Sequence, residues 1–207
     1  MQRGASISLC MIALDEASFI GRALRHVEPY VDEMIVVDGG SQDATVAIAQ
    51  RCGAAVIKST WRHHFGDQRN VALQHASGDW ILVLDPDELC ERRLLDSLPH
   101  LTSNPRGVDL FEFLRLNYVA GRLLRSGPDW QDRLFRNNGR IRYRGRVHER
   151  VTGHSLGTKA IPPRILHRKS AARQRRQNRY YWRFPEHRAW ARNELRRWGP
   201  QPHLTPG

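Results

Sequence analysis

Five consecutive apolar residues, Trp80-Ile81-Leu82-Val83-Leu84, run straight into Asp85-Pro86-Asp87-Glu88. An apolar run of that length, set between Gly78-Asp79 and three carboxylates, predicts a strand buried on both faces, as in a parallel sheet. Pro86 fixes its own φ and biases Asp85 toward extended backbone, so the strand ends in a rigid turn. In extended backbone, residues two apart point the same way, which sets Asp85 and Asp87 side by side. Two like charges that close need a counter-cation or a shared proton. An oxygen-rich pair at the carboxyl end of a buried strand suits Mg²⁺ or Mn²⁺, and open α/β sheets bind their ligands at that end. The same residues also read as a solvated acidic turn opening a helix over Glu88–Leu98.

The residues before this run repeat one pattern. Ile7–Leu14 is an apolar strand tipped by Asp15-Glu16, and Phe19, Ile20, Ala23, Leu24 and Val27 then fall on one helical face. Met34–Val37 is a second strand, closed by Asp38-Gly39-Gly40-Ser41. A helix follows over Asp43–Arg51, with Ser41 or Asp43 as its cap and Gly53 past its end. Ala54–Ile57 reads as a third strand and Phe65–Ala76 as a third helix. Alternation at these lengths predicts right-handed crossovers and a mostly parallel central sheet flanked by helices, an α/β fold. Beyond Asp87 the rhythm changes. Val108–Leu116 reads as a strand, and Arg133–Arg136 with Ile141–Tyr143 as a short hairpin about Asn138-Gly139.

At 207 residues the chain accommodates one full α/β domain. Its formal charge of +12 is unevenly placed. Residues 1–163 carry 21 Lys+Arg against 19 Asp+Glu, whereas residues 164–207 carry 12 against 2. A first domain so near neutrality does not fit a globally basic nucleic-acid binder. A soft boundary near Pro162-Pro163 separates a catalytic domain over 1–163 from a basic, aromatic, helical tail over 164–207. Cys10, Cys52 and Cys90 lack metal-ligand spacing and fit reduced core thiols of a cytoplasmic protein. No apolar run is long enough to span a bilayer, and the first residues do not read as a signal peptide.

Asp38-Gly39-Gly40-Ser41 is not a dinucleotide fingerprint, which belongs after the first strand. It offers instead a carboxylate at a strand tip, suited to a base N–H or a ribose hydroxyl, or it is only a turn. Arg69, in Asp67-Gln68-Arg69-Asn70, is placed to neutralise a diphosphate or to pair with an aspartate.

The ordered set of Ile7–Glu16, Asp38-Gly39-Gly40-Ser41, Arg69-Asn70, Gly78-Asp79-Trp80 and Asp85-Pro86-Asp87-Glu88 resembles glycosyltransferase family 2. Arg133-Leu134-Phe135-Arg136-Asn137 and Gly145-Arg146-Val147-His148-Glu149 are similar to its lipopolysaccharide-core β-glucosyltransferase branch. The resemblance covers about residues 5–180. It implies a single nucleotide-binding domain of the GT-A type, with a nucleotide-sugar half over about 5–100 and an acceptor half over about 101–163. It implies sugar transfer with inversion from a nucleotide-sugar, UDP-linked, to a saccharide or lipid-linked acceptor of the cell envelope. It places Glu16 and Asp38 at the nucleoside, and Asp85 and Asp87 at ribose, diphosphate and a divalent cation, Mg²⁺ or Mn²⁺. The family's Lys-Asn-Glu stands here as Leu14-Asp15-Glu16, and its small residue between the aspartates is Pro86.

Inversion needs a carboxylate base opposite the leaving group. Asp132, with Asp129 nearby, is preferred slightly over Glu149. His148, a neutral imidazole beside Glu149, is a candidate third metal ligand. Arg173–Arg197 mixes arginine with aromatics. That composition suits an anionic membrane surface, a basic helix packing its aromatics on the domain, or, less favoured, nucleic acid. A nucleotidyltransferase or a non-catalytic nucleotide-binding module is the rival reading. The first would need a Gly-rich basic loop after the first strand, which Leu14-Asp15-Glu16-Ala17 is not.

Overall fold

Strand–helix alternation fills the first ninety residues of the protein, seen here in a computed structural model. It describes residues 4–103, 105–124 and 129–198, with backbone alone at 161–163 and 193–198. Strands β1 (Ile7–Ala13), β2 (Glu33–Asp38), β3 (Ala55–Lys58) and β4 (Trp80–Val83) are separated by helices α1 (Ile20–Val27), α2 (Thr45–Arg51) and α3 (Phe65–His75). The four strands are parallel in the order β3-β2-β1-β4. The chain runs outward from β1 to β3, then returns to place β4 on the far side of β1. The crevice between β1 and β4 is therefore a topological switch point, where such sheets bind ligands.

The inner strands are buried on both faces, as the apolar runs require. Trp80 and Leu82 join Leu9, Met11, Leu24, Leu94 and Phe113 on one side. Ile81 and Val83 join Cys10, Ile35, Val37, Phe135 and Tyr143 on the other. Burying a side chain of that size is worth ~1.5–3 kcal/mol, so these alternating sets fix strand register on both faces.

The second half continues the same sheet. It comprises β5 (Glu88–Cys90), α4 (Arg92–Ser103), β6 (Leu110–Val119), β7 (Arg122–Leu123), β8 (Asp129–Arg136), β9 (Arg142–Arg144), β10 (Arg150–Thr152) and β11 (Gly157–Lys169). It closes with α5 (Ala171–Tyr181) and α6 (Pro185–Trp198). From β4 the sheet runs β8-β6-β11-β5. Strands β6 and β11 keep the direction of the first four, while β8, β5 and β7 oppose it.

Three sequence expectations change. Glu88 opens the short strand β5, antiparallel to β11, rather than a helix. Arg133–Arg136 and Ile141–Tyr143 do not form a hairpin. Both edges of β8 are taken by β4 and β6, so β9 pairs with β10 instead. The Asn138 side chain caps the intervening turn by accepting from the N–H groups of Arg140 and Ile141. The boundary near Pro162-Pro163 falls inside β11, so residues from 164 onward begin as part of the sheet.

Candidate active site

Two acidic turns meet at the switch point: Asp15-Glu16 after β1 and Asp85–Glu88 after β4. The second is a tight turn in which the Glu88 N–H donates to the Asp85 carbonyl at 3.0 Å. The Glu88 Oε2 accepts from the Asp85 N–H at 2.9 Å. Extended backbone thus stops at Asp85, and the two aspartates share no partner. Asp85 accepts from Arg69 Nη2 at 2.8 Å and from Arg133 Nη2 at 3.1 Å. Burial alone would raise its pKa, but Arg69 and Arg133 override burial and hold it well below the ordinary carboxylate range.

A buried chain of charges extends from this pair. Arg69 also donates from Nε to Glu149 at 2.7 Å. Arg133 donates to Glu88 at 2.7 Å, and Arg115 to Glu88 at 3.0 Å and Asp129 at 2.7 Å. Glu88 is 0% exposed, so two guanidiniums on Oε1 and the Asp85 N–H on Oε2 stand in for water. Arg133 reaches it because of a β-bulge. Phe111 pairs with Leu134 and Glu112 with Asp132, leaving Arg133 as the extra residue. A bulge suspends strict alternation and re-aims a side chain. On α3, Gly66 permits the approach of the 144–146 loop, since a Cβ there would sit 2.6 Å from the Gly145 carbonyl oxygen.

Asp87 belongs to a different set. Its Oδ2 lies 3.1 Å from His167 Nε2 and 3.1 Å from Arg173 Nε. Arg173 Nη2 continues to Glu16 at 2.7 Å, joining the β1 and β4 turns across the crevice. Burial raises the Glu16 pKa, Arg173 works against this, and the nearby aspartates add to it. Burial would also raise that of Asp87, yet His167, Lys169 and Arg173 pull it below the usual range.

These residues fit a divalent cation on three counts. Formally, Glu16, Asp85, Asp87, Glu88, Asp129 and Glu149 outnumber Arg69, Arg115, Arg133, Arg173 and Lys169. The buried Glu16 Oε2 has no hydrogen-bond partner, an open demand for a cation or donor. His167 gives the third. Asn117 donates its Nδ2 to Asp129 at 2.8 Å, so its oxygen faces His167 Nδ1 at 2.8 Å. Burial and Lys169 lower the His167 pKa, against the pull of Asp87; when neutral, the ring carries a single N–H. That N–H cannot serve both Asn117 and Asp87, and a cation at Nε2 would resolve the conflict. Among the described residues no group of three or more His, Cys, Asp or Glu encloses a metal. Mg²⁺ at nucleotide sites is held by one or two carboxylates plus phosphates, so a closed protein cage is not required.

The remaining candidates are placed as follows. Asp38 is buried and holds its own turn, accepting from the N–H groups of Gly40 and Ser41 at 3.0 Å and from Ser41 Oγ at 2.5 Å. Asp132 Oδ2 accepts from the Val151 N–H at 3.1 Å. Glu149 is clasped by Arg69. His148 is not brought to Asp85 or Asp87. Its backbone is left-handed, at φ +54°, and its ring stacks on Trp190 at 4.1 Å with Nε2 2.9 Å from His187 Nδ1. The histidine at the acidic turn is His167, which sequence reasoning passed over together with Glu88, Arg115, Lys169 and Arg173. A signal was present for Glu88, a third acid in the same motif. His167 and Arg173 sat in a stretch read as tail.

The tail aromatics turn inward. Tyr180 accepts from Trp61 Nε1 at 3.2 Å, Tyr181 lies 5.7 Å from Phe65, and Phe184 lies 5.3 Å from Tyr180. This is the arrangement of a basic helix packed on the domain. The side chain of Trp198 lies outside the described residues. No helix among them is long and apolar enough to cross a membrane.

A parallel half-sheet with acidic turns at its switch point, facing basic groups from a mixed second half, defines a nucleotide-binding α/β domain of the GT-A type, the fold of nucleotide-sugar transferases. The sequence matches Glycosyl transferase family 2 over residues 8–171, and the chain belongs to that family. It is 40% identical over 159 residues to a TPR repeat-containing protein of Synechococcus elongatus, covering 77% of this chain and 38% of that protein. An uncharacterized glycosyltransferase of Rickettsia felis is 42% identical over 95 residues, 46% of this chain and 33% of its own. The SPbeta prophage-derived glycosyltransferase SunS of Bacillus subtilis is 27% identical over 160 residues, 73% and 36% respectively. The chain thus spans between 33% and 38% of the length of these relatives. Among solved structures, glucosyl-3-phosphoglycerate synthase from Mycobacterium tuberculosis with Mn²⁺, UDP and glucosyl-3-phosphoglycerate is similar. It has a TM-score of 0.47 and 26% identity, over 57% of this chain and 45% of that one.

Proposed function

We propose that this chain transfers a sugar, with inversion, from a UDP-linked nucleotide-sugar to a saccharide or lipid-linked acceptor, as in lipopolysaccharide or other cell-envelope glycan synthesis on the cytoplasmic side. The observation that carries this reading is the convergence of Glu16, Asp87, His167 and Arg173 across the β1–β4 crevice. Glu16 and Asp85 face the nucleoside and ribose, with Asp38 fixing the turn beneath them. Asp87 and His167, with Asp85 behind them, would hold Mg²⁺ or Mn²⁺, which when bound acts as a Lewis acid on the diphosphate. Arg69 and Arg133 lie with Asp85 and add fixed positive charge where the leaving group gains negative charge. Arg173 enters from α5 and bridges Glu16 and Asp87; its guanidinium would exchange these carboxylates for phosphate oxygens when the donor binds.

For the acceptor hydroxyl, Asp132 is the better base. Glu149 is clasped by the Arg69 guanidinium at 2.7 Å, a charge-assisted bond that engages it before any hydroxyl arrives. Asp132 carries only an amide N–H on one oxygen, so its second oxygen can take the hydroxyl proton as the bond to the anomeric carbon forms.

Thermal shift against UDP, GDP and their sugars, with and without Mn²⁺, tests this reading. A Mn²⁺-dependent rise in Tm with a nucleoside diphosphate, lost in Asp87→Asn and His167→Ala, is the expected result. No response to any diphosphate would overturn it.

A further inference from the structure

The far end of α5 builds a second concave feature. The Ser59 and Trp61 N–H groups donate to the carbonyls of Asp38 and Gly39 at 2.9 and 3.1 Å, so the loop carrying Arg62 and His63 starts beside the tip of β2. Tyr180 closes over that loop, with its hydroxyl 3.0 Å from His63 Nδ1. The Phe65 N–H donates to the Arg146 carbonyl at 2.8 Å, which brings in a third wall. Between them lies a cleft of about 340 Å³ lined by Arg62, His63, Arg146, Tyr180, Arg183 and Phe184.

Its charge is one-sided. The arginines of the acidic turns each clasp a carboxylate, but Arg62, Arg146 and Arg183 have no acidic partner among the described residues, and no acid lines the cleft. Like charges around one concavity focus a positive potential that favours an anion. The floor is aromatic, with Arg183 lying over the Tyr180 ring at 5.9 Å. A second cleft, between α1 and α2, also has three arginines, but it has no aromatic wall, and Arg25 there rests on Cys52 Sγ at 3.6 Å. Position separates the two further. Tyr180 follows Arg173 by seven residues on one helix, about 10 Å along its axis, which places the aromatic cleft one short ligand away from Asp87.

We infer that this cleft binds the phosphate of a phosphorylated saccharide acceptor, with Tyr180 and Phe184 against the sugar ring and Arg62, Arg146 and Arg183 around the phosphate. Three guanidinium forks match the several oxygens of a phosphate better than the two of a carboxylate. The cleft size lies within the range of small-molecule sites, about 300–1,000 Å³. The inference rests on the transferase reading of the neighbouring crevice.

Calorimetric titration of the full chain with glucose 6-phosphate, glucose and inorganic phosphate tests it without turnover. Glucose 6-phosphate should bind more tightly than either fragment. Arg62→Ala/Arg146→Ala/Arg183→Ala should weaken it at least tenfold, with UDP–Mn²⁺ binding and the melting curve unchanged. Arg62→Ala alone, on a surface loop, should weaken it about threefold and serves if the triple variant does not fold. Equal binding by variant and wild type, no binding by wild type, or displacement by UDP would overturn the assignment. So would arginine-dependent capture of anionic phosphatidylglycerol vesicles without any glucose 6-phosphate binding, which would make the cleft a membrane contact. Loss of UDP binding with glucose 6-phosphate binding retained would sink the donor reading and leave the cleft standing.

Discussion

Glu16 apart, which Arg173 holds from α5, the carboxylates of β1 and β2 and those of β4 are tied down in different ways. At the first two tips, Asp38 is held by its own turn, Asp15 accepts from the Gln42 N–H at 2.8 Å, and Asp43 accepts from the Thr45 N–H at 2.9 Å. These partners are backbone groups close in sequence or on the adjoining turn, and none can leave without unfolding the turn. At the β4 tip, Asp85, Asp87 and Glu88 are held by side chains from α3, β6, β8, β11 and α5. A guanidinium can be exchanged for a metal ion or moved onto a phosphate; a backbone N–H cannot. On the proposed function, acids locked by backbone are scaffold, and acids locked by remote arginines are the ligand-responsive ones.

The largest effect that would sharpen this contrast is expected from Arg133→Met. It leaves Glu88, with no exposure, with Arg115 as its remaining cationic partner, and breaking one side of a buried pair costs about 3–5 kcal/mol. Urea denaturation should show that loss. A change below about 1 kcal/mol would mean that Glu88 protonates or finds water, and that the network is not held by charge. Next comes Asp87→Asn, which keeps shape and removes charge. It should lower turnover by roughly 100-fold, the scale of losing one preorganised electrostatic contact, and abolish Mn²⁺-dependent stabilisation by UDP. Asp38→Ala should act in the opposite sense, costing about 2 kcal/mol for its charged hydrogen bonds while UDP affinity changes by less than tenfold. An Asp38→Ala protein of unchanged stability that no longer binds UDP would erase the distinction.

The same contrast explains what could be read from the residues. The β1–β4 half is legible because each strand is an uninterrupted apolar run and each crossover a short helix, so period and punctuation carry the topology. Its acidic tips follow from the strand ends. The second half was less readable because its strands carry the charges of the site. In β11, His167 and Lys169 interrupt the apolar pattern, and the sequence beyond Pro163 resembles a solvated basic segment. Its pairing with β6 spans more than forty residues, which no local pattern encodes. His148 misled for a related reason. Adjacency to Glu149 suggested a shared site, but the left-handed backbone at His148 sends the two side chains to different neighbours. The Arg133 bulge is likewise invisible, since it depends on how β6 and β8 align.

Titration distinguishes the halves with the smallest perturbation. Asp85 and Asp87 have pKa values lowered by their cationic partners, so they contribute stability above the unfolded carboxylate pKa of about 4 that is lost as pH falls through their folded values. Tm should therefore decline below about pH 4, and more shallowly in Asp87→Asn. Lys169 gives the finer test. Burial lowers its pKa from 10.5 to about 8, against the pull of Asp87 and with the help of Arg115 and Arg173. Between those values the unfolded chain binds the extra proton, so stability rises with pH across that interval. Lys169→Met should raise Tm slightly at pH 7 and flatten the rise between pH 8 and 10.5, read as the difference between the two proteins because tyrosines titrate in both. If the difference stays constant across that range, Lys169 is solvated, and the β11–α5 corner does not enclose the acidic turn.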